Sequence, residues 1–181
     1  MSSTRPSKAV KLYGTDRPEI PGRALRAGAL SAVLDRGALR YVRLHGVEVL
    51  RAIAFLVRDE NWGTFAPEIT GLKVRQGPAG FEVTYAARCA DARRAIGYRA
   101  RIVGTPDGSL AFTATAVPET DFLTNRTGFV VLHPLKGVAG CPVVVEHVDG
   151  RTVTSTFPAV VDPVQPFKDI RALSHEALPG V

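Results

Sequence analysis

Three runs of apolar–polar alternation set what this chain can fold into. Phe81, Val83, Tyr85 and Ala87 fall on one face of a run whose other face carries Glu82, Thr84 and Arg88. Ile96, Tyr98, Ala100 and Ile102 alternate with Gly97, Arg99 and Arg101. Leu110, Phe112, Ala114 and Ala116 alternate with Thr113 and Thr115. A period of two places successive side chains on opposite faces of a pleated strand with one wet side. The last two runs are separated by Thr105-Pro106-Asp107-Gly108. Proline presets one dihedral there and Asp-Gly tolerates positive φ, so an antiparallel hairpin is expected. Val148-Asp149-Gly150-Arg151 predicts a second hairpin, joining 142–148 to 151–157, and Gly77-Pro78-Ala79-Gly80 predicts a third.

Val47 to Val57 is apolar on both faces. Leu50, Ile53 and Val57 also fit a helical stripe, but the β-rich surroundings and the turn Asp59-Glu60-Asn61 favour a buried strand. No amphipathic helix of three turns is visible. Many short strands with regular turns predict an all-β antiparallel sandwich rather than a parallel α/β sheet. The expected organisation is a polar tail and lead-in over 1–25, a β-sandwich over 26–157, and a Pro-rich C-terminal segment over 158–181. Phe157-Pro158, Asp162-Pro163 and Gln165-Pro166 keep that last segment out of any central strand.

With 45% hydrophobic and 22% charged residues the chain is globular rather than disordered. Cys89 and Cys141 have no C-x-x-C partner or metal spacing and read as two thiols. The first eight residues are polar, and no stretch is long enough to span a membrane. A cytoplasmic protein with no membrane partner is expected. The net charge of +6 is spread along the chain and slightly favours anionic small molecules. Arg93, Arg94, Arg99 and Arg101 form the densest basic group, but no aromatic platform accompanies them, so they read as a solvated face and not a nucleic-acid surface. P-loop, G-x-S-x-G and G-x-G-x-x-G motifs are all missing. The four histidines show no H-x-H or H-x-x-x-H pair, so neither metal nor cofactor is expected.

Chemistry concentrates in Asn125-Arg126-Thr127-Gly128-Phe129-Val130-Val131-Leu132-His133-Pro134 and in Glu146-His147-Val148-Asp149-Gly150. Polar groups among short apolar runs are held on a rigid sheet, where sites are commonly built. Glu146 and His147 are adjacent, so on a strand they point to opposite faces. Parity alone leaves open which face is core. His147 is either a buried, hydrogen-bonded histidine or a general acid or base. His133 precedes Pro134, which forces extended backbone and a strand end; it either contacts ligand or packs a loop. Arg126 either holds a carboxylate or carbonyl oxygen through its planar fork, or pairs with Glu119 or Asp121. Asn125 either meets sugar hydroxyls or shapes a turn. Trp62, the only tryptophan, either stacks on a sugar ring or packs the core or a lid. Asp169, Arg171, His175 and Glu176 form a late polar cluster suited to an interdomain junction or to part of a site.

Several segments together carry a resemblance: Glu48-Val49-Leu50-Arg51, Arg58-Asp59-Glu60-Asn61-Trp62-Gly63-Thr64, Asn125 to Phe129, Leu132-His133-Pro134, Glu146 to Gly150, and Gln165-Pro166-Phe167-Lys168-Asp169-Ile170-Arg171. In this order they resemble the N-terminal region of the bacterial D-apionate lactonase family, over residues 28 to 181. The β-rich part is also distantly similar to the galactose-mutarotase-type supersandwich. The family resemblance implies hydrolysis of a branched sugar-acid lactone, with a second region following the β-rich part in the longer members. The small-molecule partner it implies is a sugar-acid lactone, with a partner domain or a homo-oligomer as the further expectation.

Opening a lactone needs an activated water, an oxyanion stabiliser and an acid for the leaving oxygen. The residues nominated as catalytic are His133, Glu146 and His147; those nominated as substrate-binding are Asn125, Arg126, Trp62, Asp169 and Arg171. The alternative reading is a non-catalytic carbohydrate-binding or structural β-sandwich module.

Overall fold

The computed structural model describes residues 7–16, 21–160 and 165–177. Residues 1–6, Pro18, Asp162-Pro163 and Pro179-Gly180-Val181 lie outside the described residues. Within the polar tail a short helix, α1 (Lys8–Tyr13), is capped by the Ser7 hydroxyl, which accepts from the Val10 amide. Gly14 closes it in the left-handed conformation. All other regular structure among the described residues is antiparallel β.

The first sheet runs in the order β1 (Arg23–Ala27), β2 (Leu30–Asp35), β3 (Ala38–Leu44), β4 (Val47–Asp59), β9 (Thr124–Leu132). The ambiguous run at Val47 is thus the long strand β4. The second sheet is a meander of β5 (Glu68–Gly77), β6 (Gly80–Ala90), β7 (Ala95–Gly104) and β8 (Leu110–Pro118). The alternating runs are strands β6, β7 and β8, and the two turn signals among them fall at the β5–β6 and β7–β8 hairpins. Gly80 shows why one turn residue is fixed. Its φ is +114, and a Cβ there would sit 2.1 Å from the Gly104 carbonyl oxygen.

The two sheets face each other across one hydrophobic layer. Leu25, Leu34, Leu39, Val42 and Val57 from the first meet Val83, Tyr85, Tyr98, Ala100 and Ile102 from the second. One polar atom within this layer is satisfied directly: the Tyr85 hydroxyl donates to the Gly37 carbonyl at 2.7 Å. Burial pushes that hydroxyl's pKa well up, so it remains a proton donor. Near β1, the Arg26 amide donates to the Gln76 side-chain oxygen of β5 at 3.0 Å. The opposite side, between edge strands β8 and β9, is less covered. Phe112 and Phe129 touch there edge to face at 5.0 Å, yet Phe129 is 43% and Val131 44% exposed.

The strands after β9 do not join the sandwich sheets. β10 (Pro142–His147) lies at the centre of a separate three-stranded sheet, between β11 (Thr152–Thr156) and β12 (Ile170–Ser174). The β10–β11 hairpin is the one signalled by Asp149-Gly150. β12 comes from the segment after the prolines and takes an edge position, where proline-rich flanks are tolerated. Both cysteines are free thiols, Cys89 buried and Cys141 half-buried. No helix among the described residues is long and apolar enough to cross a membrane.

Candidate functional site

The three-stranded sheet decides the parity of β10. Val143 and Val145 are buried to 1% exposure, while Val144 is exposed. His147 shares parity with the buried valines and therefore lies on the inner face; Glu146 lies on the outer one. Glu146 meets Arg171 of β12 there, with 3.3 Å between Oε1 and Nη1 and both side chains well exposed.

On the inner face, His147 borders a cleft of about 550 Å³ between the end of the sheet and the segment 165–169. Asp149, Arg151, Ser155, Lys168 and Asp169 line it as well. The His147 Nδ1 lies 3.0 Å from the Lys168 carbonyl oxygen. A carbonyl only accepts, so Nδ1 carries the proton, and the neutral ring keeps its lone pair on Nε2. This tautomer suits a base. Asp169 is held at φ +52, and its carbonyl accepts from the Val148 amide at 2.8 Å. His147 and Asp169 are thus brought together, whereas Arg171 pairs on the opposite face.

His133 sits just past β9, in different surroundings. Its ring lies 5.1 Å from that of His175 and 5.7 Å from Phe157, and Phe157 in turn packs on Phe167 at 5.9 Å. The Nδ1 atoms of His133 and His175 are both buried without a hydrogen-bond partner. Burial foremost, and then the neighbouring His175, hold the His133 ring below the ordinary histidine pKa. Phe167 also lines the His147 cleft, so the two histidine stations lie either side of this aromatic group.

A third station forms on the sandwich. Trp62 is 50% exposed at the end of β4, with φ +69. The Arg126 guanidinium carbon lies 5.1 Å from its ring centre and that of Arg58 5.9 Å. Glu119, offered from the sequence as a partner of Arg126, instead pairs with Arg88 at 2.8 Å. Asn125 is exposed on β9 and has no cross-strand partner, because the register shifts between Arg58 and Asp59.

Sequence reasoning missed the group that locks this loop. The sequence places Arg94 in a solvated basic face, yet its side chain is only 13% exposed. It contacts Asp59 at 3.3 Å, Asp91 at 3.0 Å and Glu60, and lies 5.7 Å from the rings of Phe65 and Phe122. Asp59 in turn accepts from the amides of Asn61 and Gly63. The Arg93 amide, and then Arg94, hold the Asp91 carboxyl below the usual carboxylate range. The visible signal was Asp91 itself, whose Asx turn aims Arg94 back at the loop.

The matched family model is that of the D-apionate lactonase N-terminal domain, and it covers residues 10–181. The chain belongs to the D-apionate lactonase family. A D-apionate lactonase of Brucella anthropi is 50% identical to it over 172 residues. That alignment takes in 94% of this chain and 28% of the relative, so the chain spans little more than a quarter of that lactonase's length. No solved structure matches the chain.

Proposed function

We propose that this chain is the β-rich N-terminal region of a hydrolase that opens a sugar-acid lactone, and that it holds the sugar acid while bond breaking draws on polypeptide of the kind that makes up the rest of the longer lactonase. The observation that carries the family part is the 50% identity to a D-apionate lactonase. The separation of the nominated catalytic residues supports the division of labour. His133 belongs to the aromatic station, Glu146 to an exposed ion pair and His147 to the cleft.

Within this reading the cleft is where the region meets the lactone. His147 presents Nε2 as acceptor or base, Arg151 and Lys168 supply positive charge for a carbonyl oxygen or oxyanion, and Asp169 accepts from hydroxyls. Asn125, Arg126 and Trp62 contact ligand at a separate place on the sandwich, outside the cleft.

Proton release from D-apionolactone, followed with a pH indicator, tests this directly. The folded 181-residue chain is expected to stay at the spontaneous rate while the lactone protects the cleft segments 145–155 and 165–169 from hydrogen exchange. Turnover above that rate, lost in His147→Ala, would overturn the division of labour and make the β-unit a catalyst in its own right. Neither turnover nor protection would leave the second reading, a bracing module. The open β8–β9 side, with Phe129 and Val131 exposed, favours that one.

A further inference from the structure

We propose that Arg58, Arg126 and Trp62 form a binding site for the carboxylate of an open-chain sugar acid, distinct from the His147 cleft. Arg58 and Arg126 stand directly opposite each other on the antiparallel strands β4 and β9. Cross-strand partners project on one face, and like charges in that position repel. Both guanidiniums nevertheless converge on the single indole of Trp62, at 5.9 and 5.1 Å. Among the described residues no carboxylate lies within ion-pair distance of either arginine. The acids nearest in sequence, Asp59 and Glu60, are engaged by Arg94. The Arg58 Nε is buried with no hydrogen-bond partner. Two cations facing one another with unused donors are a place for an anion, and a guanidinium fork matches a carboxylate.

The platform is held in place before any ligand arrives. Trp62 keeps a left-handed backbone conformation that costs a non-glycine residue energy. Hydrogen bonds from Asn61 and Gly63 to Asp59, itself pinned by Arg94, maintain it. Half of the indole stays exposed, so the C–H face of a polyol has somewhere to lie. A lactone is neutral, and its hydrolysis product carries a full negative charge. The site therefore favours product over substrate. It takes the polyol part of its ligand from the lactonase reading and the carboxylate part from this chain's own residues.

Trp62 is the only tryptophan, so its fluorescence reports on this site alone. Sodium D-gluconate titrated into the chain is expected to change the emission saturably, and the neutral polyol D-glucitol is not. Arg58→Gln and Arg126→Gln should each weaken gluconate by about tenfold or more, the loss of one charge-assisted contact. Arg126→Lys should retain part of the affinity, and added sodium chloride should weaken binding. Equal responses to gluconate and glucitol, no response at all, or Gln variants that bind as well as the parent would overturn the carboxylate site. Sodium acetate binding as tightly as gluconate would overturn its assignment to a sugar acid. Gluconate binding without any effect of D-apionolactone on the His147 cleft would leave this site standing while the lactone reading falls. The reverse would sink this site alone.

Discussion

The sandwich buries Leu25, Leu39, Val42, Val57, Val83 and Ile102 to no more than 1% exposure in a layer shared by two sheets. The three-stranded sheet buries only Val143 and Val145 of its strand residues that far. Non-strand pieces accompany it: Phe167 lines the cleft with Val145 and Val153, and the rings of His133, Phe157 and His175 pack on one another. One unit is held by continuous apolar contact and the other by a small core with a polar aromatic lid. A rigid frame therefore carries the Trp62 platform, while the His147 cleft sits in a part that adjusts at lower cost.

Truncating the shared layer should show the largest effect. Leu39→Ala removes a fully buried side chain and is expected to cost about 2–5 kcal/mol. The main thermal transition should fall accordingly, and both sandwich sheets should lose hydrogen-exchange protection together. Val145→Ala deletes less volume and should cost on the order of 2 kcal/mol. Its loss of protection should be confined to β10, β11 and β12. If Val145→Ala instead lowers protection across β6 and β7, the two regions unfold as one and the contrast is wrong.

Acid separates the regions next. The folded chain favours the neutral His133 ring, whose pKa lies below the ordinary histidine value. As pH falls through about 6.5, the unfolded chain takes up a proton that the folded ring resists, so stability declines. Protection factors in 142–157 and 165–177, taken relative to the intrinsic exchange rate at each pH, should fall between about pH 7.5 and pH 5.5 while those of β6 and β7 hold. His133→Phe, which keeps an aromatic ring against Phe157, should flatten this dependence. A pH response of equal size in that variant would assign it to other groups.

Arg94→Gln is the next smaller change, because it acts on a loop and not on the core. It frees Asp59, Glu60 and Asp91 from their shared cation. The loop carrying Trp62 should loosen, lowering the fluorescence anisotropy of Trp62 with little change in the main unfolding transition. Unchanged anisotropy would mean that the hydrogen bonds to Asp59 hold the loop without Arg94.

The same contrast governs what was legible in the sequence. Period-two runs and Asp-Gly or Gly-Pro turns identified β6, β7, β8 and the β5–β6 and β7–β8 hairpins, because those signals act within a few residues. The all-β antiparallel class followed from them. Pairing across long stretches was not visible. β9 joins β4 from sixty-odd residues away, and β12 reaches β10 across a proline-rich segment. No local signal records which sheet an edge strand will complete. The sequence nominates residue types but does not say which of them share surroundings: Trp62 and Arg126 meet, His147 and Asp169 meet, and His133 joins His175 instead. Arg94 was misjudged because a basic cluster in sequence says nothing about three carboxylates converging on it.

The smallest expected effect lies in two neighbours on β10. Glu146 and Arg171 form an exposed pair, and such pairs contribute about 0–1 kcal/mol. Glu146→Gln should leave the unfolding temperature and the exchange pattern nearly unchanged. His147→Ala, one residue along, removes the bond to the Lys168 carbonyl and should cost about 1 kcal/mol, felt in segment 165–169. The difference between these two variants isolates the face of the strand, since the backbone position is almost the same. If Glu146→Gln proves the more damaging, the outer face is covered by something that the exposure of Val144 does not show, and the cleft is not the side of β10 that matters.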